Sequence, residues 1–169
     1  MKTKSVITCT IAMVSLFSSA YVLASSNTDA KMLARGRYLV ATSGCNDCHT
    51  PGYPQADGKI PDGKWLVGSP VGFQGPWGTT YPANLRLIMH TLSEQQWLKK
   101  ARTPMRPPMP WFSLREMSDA DLRAIYAFVR KLGPAGEPAP NYAAPGVAVN
   151  TPYFEFVPKN LPQTARAGQ

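Results

Sequence analysis

A helical period in the apolar positions runs through three stretches of the chain and is absent elsewhere. From Thr28 to Ser43, the residues Met32, Gly36, Leu39 and Val40 fall at i, i+4, i+7 and i+8, one apolar face of a helix. Thr28 or Asp29 is placed to cap it. Gly36 lies on that face at a cost of about 1 kcal/mol in helix propensity, which close approach of another backbone would justify. From Leu92 to Arg102, Trp97, Leu98 and Ala101 form an inner side, and Ser93 with Gln96 spells a capping box. The firmest pattern spans Ser118 to Leu132. There Ser118 and Asp121 begin the helix, Leu122, Ile125, Tyr126 and Val129 share a face, and Gly133 and Pro134 end it. This last helix is expected to cross the first at Gly36.

Between these stretches the period is lost. Thr50 to Met89 holds seven Gly and six Pro, and Arg102 to Phe112 is punctuated by Pro104, Pro107, Pro108 and Pro110. Gly133 to Gln169 carries seven Pro and no helical pattern. The expected fold class is therefore all-α: a small domain of about three main helices with long irregular loops and a Pro-rich C-terminal extension. Within that extension Tyr153-Phe154-Glu155-Phe156-Val157 is too apolar for a solvated linker, so it is expected to pack on the domain or on a partner. A forty-residue loop without regular structure needs its own reason to stay compact.

Composition narrows the classes. The 169 residues are 44% hydrophobic and 17% charged, too apolar for a disordered chain and too short for several domains. Met1-Lys2-Thr3-Lys4 is followed by an uncharged run, Val6 to Leu23, and by Val22-Leu23-Ala24. That is the form of a secretory signal peptide cut after Ala24; the alternative is an uncleaved membrane anchor. The boundaries read are thus 1–24 for the leader, 25–133 for the folded domain and 134–169 for the extension. The formal charge of +8 falls to +6 once Lys2 and Lys4 are lost. Cys9 goes with the leader, and Cys45 and Cys48 remain.

Those two cysteines stand in Cys45-Asn46-Asp47-Cys48-His49, the attachment signature of c-type haem. Two residues between the thiols let one helical turn bring both sulfurs to one edge of the macrocycle. His49 follows at once as the proximal iron ligand. A thioredoxin-type pair would follow a strand rather than a helix. A zinc site would need about four ligands, and only His90 remains to supply one. A buried haem also supplies the core that the long loop needs, with Trp65, Phe73, Trp77 and Tyr81 as candidate wrapping aromatics.

The remaining axial position has candidates in Met32, Met89, Met105, Met109, Met117 and His90. Met32, Met89 and Met117 read as core residues. Met105 and Met109 sit in the Pro-rich strap after the third helical stretch, where fixed φ angles and missing donors forbid helix. Met109 lies between Pro108 and Pro110 and just before Trp111, so it is the first choice; Met105 and His90 stay open.

The haem motif, Pro107-Pro108-Met109-Pro110-Trp111 and Met117 to Phe128 together resemble a class I-type monohaem cytochrome c. Gly75-Pro76-Trp77-Gly78-Thr79-Thr80-Tyr81 and Asn84 resemble the haem-wrapping loop of cytochrome domains in bacterial periplasmic dehydrogenase subunits. The likeness runs from about Lys31 to Gly133. It implies Met109 as the distal ligand and Tyr81, Asn84 and Trp111 close to the haem. Those subunits often carry several haem motifs, whereas this chain has one.

A haem capped on both faces leaves the iron one easy task, exchange of single electrons. The expected function is a periplasmic electron carrier with one haem c, not an enzyme in its own right. The other classes are a haem enzyme or ligand sensor with an open distal side, and an accessory subunit of a membrane-bound dehydrogenase or oxidase. Expected partners are redox proteins with acidic docking surfaces, met through Lys99, Lys100, Arg102, Arg106 and Arg115. Nucleic acid is not expected for an exported chain.

Overall fold

The computed structural model describes residues 28–160. The expected leader, 1–24, and the end of the extension lie outside them. Six helices and three strands occur among the described residues, and the fold is mostly helical, as expected. Helix α1 covers 28–42, α2 Cys45–His49, α3 Leu85–Thr91, α4 Glu94–Ala101, α5 Trp111–Glu116 and α6 Asp119–Leu132. Strands β1 (Gly72–Gly75), β2 (Gly78–Thr80) and β3 (Tyr153–Glu155) form one small sheet in the order β2-β1-β3.

The three expected helices form, and α4 and α6 carry the expected caps. The side chain of Ser93 accepts from Gln96 N while that of Gln96 accepts from Ser93 N, at 3.2 and 2.8 Å. In α6 the Ser118 hydroxyl accepts from Asp121 N at 3.1 Å, and Leu122, Ala124, Ile125, Phe128 and Val129 are buried. Helix α1 differs at its start: residues 28 and 29 already lie inside it, so neither is its cap. Met32, expected in the core, is 37% exposed, because the buried face begins at Gly36, a turn later.

The crossing of α1 and α6 occurs where Gly36 predicts. A Cβ at Gly36 would overlap the Ala124 carbonyl and stand 2.7 Å from Phe128 Cβ. Helices α3 and α4 pack on α6 as well. Trp97 donates to the Leu122 carbonyl and Tyr126 to the Leu92 carbonyl, both at 2.8 Å, tying α4 and the turn before it to α6.

Two helices stand in stretches expected to be irregular. Asn84 caps α3 by accepting from Leu87 N at 3.1 Å. Helix α5 begins directly after Pro110, where proline no longer obstructs. The 50–89 loop also contains a hairpin, β1 and β2, with Phe73 opposite Thr80 and Gly75 opposite Gly78. The C-terminal segment returns to it, as expected. β3 pairs parallel with β1, putting Phe154 beside Phe73 with rings 5.7 Å apart, and Phe156 packs on Phe73 and Trp77. Phe73 and Trp77, expected to wrap a haem, thus hold the tail.

Candidate functional site

The site is built at the end of α1. Ser43 N bonds to the Leu39 carbonyl, and Gly44 takes a left-handed φ of 73° that redirects the chain into α2. Cys45 and Cys48 fall at i and i+3 of that single turn, hence on one side of it. Both are free thiols. Burial pushes the Cys45 thiol up to about 11, and burial with the nearby Asp47 charge raises Cys48 also. Both shifts run opposite to the depressed pKa that activates a redox pair.

His49 is buried at 8% exposure. Its Nδ1 lies 2.7 Å from the Ala83 carbonyl. A carbonyl only accepts, so Nδ1 carries the proton and Nε2 keeps its lone pair. Burial lowers the imidazole pKa, outweighing that hydrogen bond, so the neutral form is favoured. A neutral imidazole with an oriented free nitrogen is the form that binds iron.

The surrounding loop fixes this arrangement. Gly68 N donates to the His49 carbonyl at 2.9 Å, and Ser69 N to the Pro82 carbonyl at 3.0 Å, placing Ala83 beside the ring. Thr50 Oγ1 donates to Asn46 Oδ1 at 2.7 Å and accepts from Leu66 N at 2.8 Å. The Leu66 carbonyl then receives Leu85 N and Arg86 N. Leu66 is fully buried with φ of 63°, a strained value for a leucine that these bonds hold in place. Arg86 donates to the carbonyls of Gly63, Gly133 and Leu132, linking the loop to the C-terminus of α6, where its charge suits the helix dipole.

The distal candidates separate. Met89 is wholly buried, and Met105, Met109 and Met117 are half-buried against the same core as Cys45. His90 Nδ1 lies 3.2 Å from the Arg130 guanidinium, and its buried Nε2 has no partner among the described residues. Asn84, expected beside the haem, spends its amide on the fold: besides capping α3 it donates to the Ala135 and Glu137 carbonyls. Tyr81 shares a 2.6 Å hydrogen bond with Thr151, and Trp111 lies under the Arg115 guanidinium. Of the wrapping aromatics, Trp65 sits in the core between Tyr53 and Phe128.

Three of the five cations expected to form a docking patch are engaged within the chain. Arg102 donates to the Leu114 and Arg115 carbonyls and to Asp119, Arg106 lies over the Tyr142 ring, and Arg115 pairs with Glu116. Lys99 and Lys100 are exposed. A groove of about 550 Å³ between the hairpin turn and the 144–149 loop, bordered by Tyr153 and Glu155, shares no residue with the Cys-His motif.

The donor set accommodates a haem: two unbridged thiols one turn apart and an adjacent, oriented, neutral imidazole. It does not suit zinc, because no three His, Cys, Asp or Glu side chains converge among the described residues. Sequence reading missed the Ala83 carbonyl and Thr50. A backbone acceptor leaves no trace in residue type, and nothing marks Thr50 beyond its place after the motif.

The family description "Cytochrome c" matches residues 33–133, more than half of the chain. The chain is 27% identical to the fructose dehydrogenase cytochrome subunit of Gluconobacter japonicus, over 67% of this chain and 24% of that protein. It is 28% identical to the cytochrome c subunit of alcohol dehydrogenase (quinone) of Gluconobacter oxydans, over 60% of this chain and 22% of that one. It is 27% identical to a nicotinate dehydrogenase subunit of Pseudomonas putida, over 66% of this chain and 9% of that one. The chain therefore spans about a quarter or less of the length of these relatives. No solved structure matches it.

Proposed function

The chain belongs to the cytochrome c family, and from that premise we propose that it is a one-electron carrier whose single haem c is held by Cys45 and Cys48, with His49 and Met109 as axial ligands. Haem c is the covalently bound cofactor of this family, and Cys45, Cys48 and His49 form the motif that takes it. When bound, haem supplies reversible exchange of one electron between ferric and ferrous iron. The chain's part is to anchor, orient and exclude water. Cys45 and Cys48 anchor through thioether bonds. His49 is oriented by Ala83, whose carbonyl fixes the tautomer and the ring plane. That hydrogen bond, beside two unbridged thiols, is the observation that carries the reading.

Met109 is supported as the second ligand by its place in a strap that proline makes stiff. A thioether binds iron weakly, and a stiff strap limits the entropy lost in holding it there. The Trp111 N–H donates to the Met109 carbonyl at 2.8 Å, so α5 extends the support.

In this reading the leader 1–24 is removed on export to the periplasm, residues 25–133 carry the haem and 134–169 extend that domain. Among the described residues no helix is long and apolar enough to cross a membrane. The partners are redox proteins, a membrane-bound dehydrogenase among them, since the relatives include dehydrogenase cytochrome subunits. Of the five cations expected in the docking patch, the exposed Lys99 and Lys100 remain to meet an acidic face.

The test is a set of absorption spectra from protein made in a host that attaches haem. The ferric wild type is expected to show the weak long-wavelength sulfur-to-iron band. Met109→Ala loses it, while Met105→Ala and His90→Ala keep it. A band unaltered in Met109→Ala refutes the axial assignment, and a wild type without the band favours an open distal side.

A further inference from the structure

The strap 104–110 has an unusual problem of support. Pro104, Pro107, Pro108 and Pro110 remove four backbone donors, and among the described residues no backbone hydrogen bond joins this segment to a distant one. Left to itself, such a segment would be stiff along its length but free to swing at its ends. Met105 and Met109 pack on the core from within the strap, and two polar contacts hold it besides. The Thr80 hydroxyl, at the end of β2, donates to the Pro107 carbonyl at 2.7 Å, with the Phe73 carbonyl more distant at 3.3 Å. The Arg106 guanidinium lies 4.0 Å from the centre of the Tyr142 ring.

Both contacts lead to the C-terminal extension. The Tyr142 hydroxyl donates to the Trp77 carbonyl at 2.9 Å. Ala143 and Thr79 exchange backbone hydrogen bonds of 2.8 and 3.0 Å, and a Cβ at Gly78 would strike the Ala143 carbonyl. On the other side of the hairpin, β3 pairs with β1 and its neighbouring aromatics cover Phe73 and Trp77. The extension thus clasps the hairpin from both edges, and the hairpin and Tyr142 grip the strap two and three residues before Met109.

We propose that Thr80 and Tyr142 are positioning residues for the Met109 strap, so that the C-terminal extension acts as a brace on the distal ligand. This rests on the assignment of Met109 as that ligand. When an added ligand displaces the thioether, the strap must leave its seat and break these contacts. The brace therefore lowers the apparent affinity for a competitor, independently of how stable the rest of the domain is.

The experiment titrates ferric holoprotein with imidazole and follows loss of the sulfur-to-iron band, with guanidinium unfolding measured in parallel. Thr80→Val is expected to tighten the apparent imidazole dissociation constant about fivefold, the worth of one net hydrogen bond. Tyr142→Leu is expected to tighten it about threefold, as for an exposed cation–π contact. Thr80→Ser restores the wild-type constant. Ser118→Ala, which weakens α6 by removing its cap, lowers the unfolding midpoint but leaves the imidazole constant unchanged. The brace is refuted if Thr80→Val and Tyr142→Leu bind imidazole as wild type does, or if Ser118→Ala shifts the constant as much as they do. A wild type without the band, or Met109→Ala with it, refutes the ligand assignment itself and the brace with it.

Discussion

Gly36→Ala separates local propensity from packing, because the two predict opposite signs. On propensity alone the change stabilises α1 by about 1 kcal/mol. The structure opposes it: the new methyl would overlap the Ala124 carbonyl and stand 2.7 Å from Phe128 Cβ. Neither obstacle is a flexible side-chain tip, since one is helix backbone and the other is the first side-chain carbon of the buried Phe128. The helices must move apart, at the upper end of the about 1–3 kcal/mol typical of overpacking. The net is a loss of about 2 kcal/mol, or roughly 5–10 °C in Tm for a domain of this size. Guanidinium unfolding of the holoprotein, followed by far-UV circular dichroism, reads this as a lower midpoint at unchanged slope. A variant as stable as wild type, or more stable, refutes the close crossing of α1 and α6. The crossing matters for the site because α1 leads through Gly44 directly to Cys45.

Three further outcomes follow from specific contacts. Arg86→Leu leaves three carbonyls without their buried donor and is expected to cost about 3 kcal/mol in denaturant unfolding; a cost below about 1 kcal/mol means those carbonyls find water instead. Ending the chain at Val149 removes β3 and the rings on Phe73 and Trp77, for an expected loss of about 1–3 kcal/mol; unchanged unfolding would show that β3 and its aromatics do not dock. The Arg35 hydrogen bond, chiefly, holds the Asp121 carboxyl below its usual pKa. Its contribution is present above the ordinary carboxylate range and is lost as pH falls through the lowered value. Asp121→Asn should therefore be slightly less stable than wild type near neutrality and equal to it in acid, and a gap that persists in acid contradicts the ion pair.

What could be read from residues alone was what is encoded locally. Cys45 to His49 is a contiguous motif, and the starts of α4 and α6 are written in Ser93, Gln96 and Ser118. The long-range pairing of β3 with β1 leaves no such mark, because residue 153 meets residue 72 only once the chain is folded. Helix α3 is hidden for another reason. Its buried positions are Arg86 and Met89, so a charged residue occupies the inner face and masks the apolar period. That arginine is tolerated there because it satisfies carbonyls from two other segments. Aromatic residues carry contacts that residue type alone does not disclose. Phe73 and Trp77 look like cofactor-covering rings by composition, but their partners lie about eighty residues away in the tail. Asn84 stands out in the sequence, yet its observed work is to cap α3 and tether the 135–137 segment.

The central claim is that one haem is covalently carried at Cys45 and Cys48, and intact mass spectrometry of protein from a maturation-competent host tests it most directly. The expected mass is raised by a single haem, retained after acid denaturation, with neither thiol open to alkylation. A colourless chain at the bare polypeptide mass, its two cysteines alkylated or bridged to each other, would contradict it.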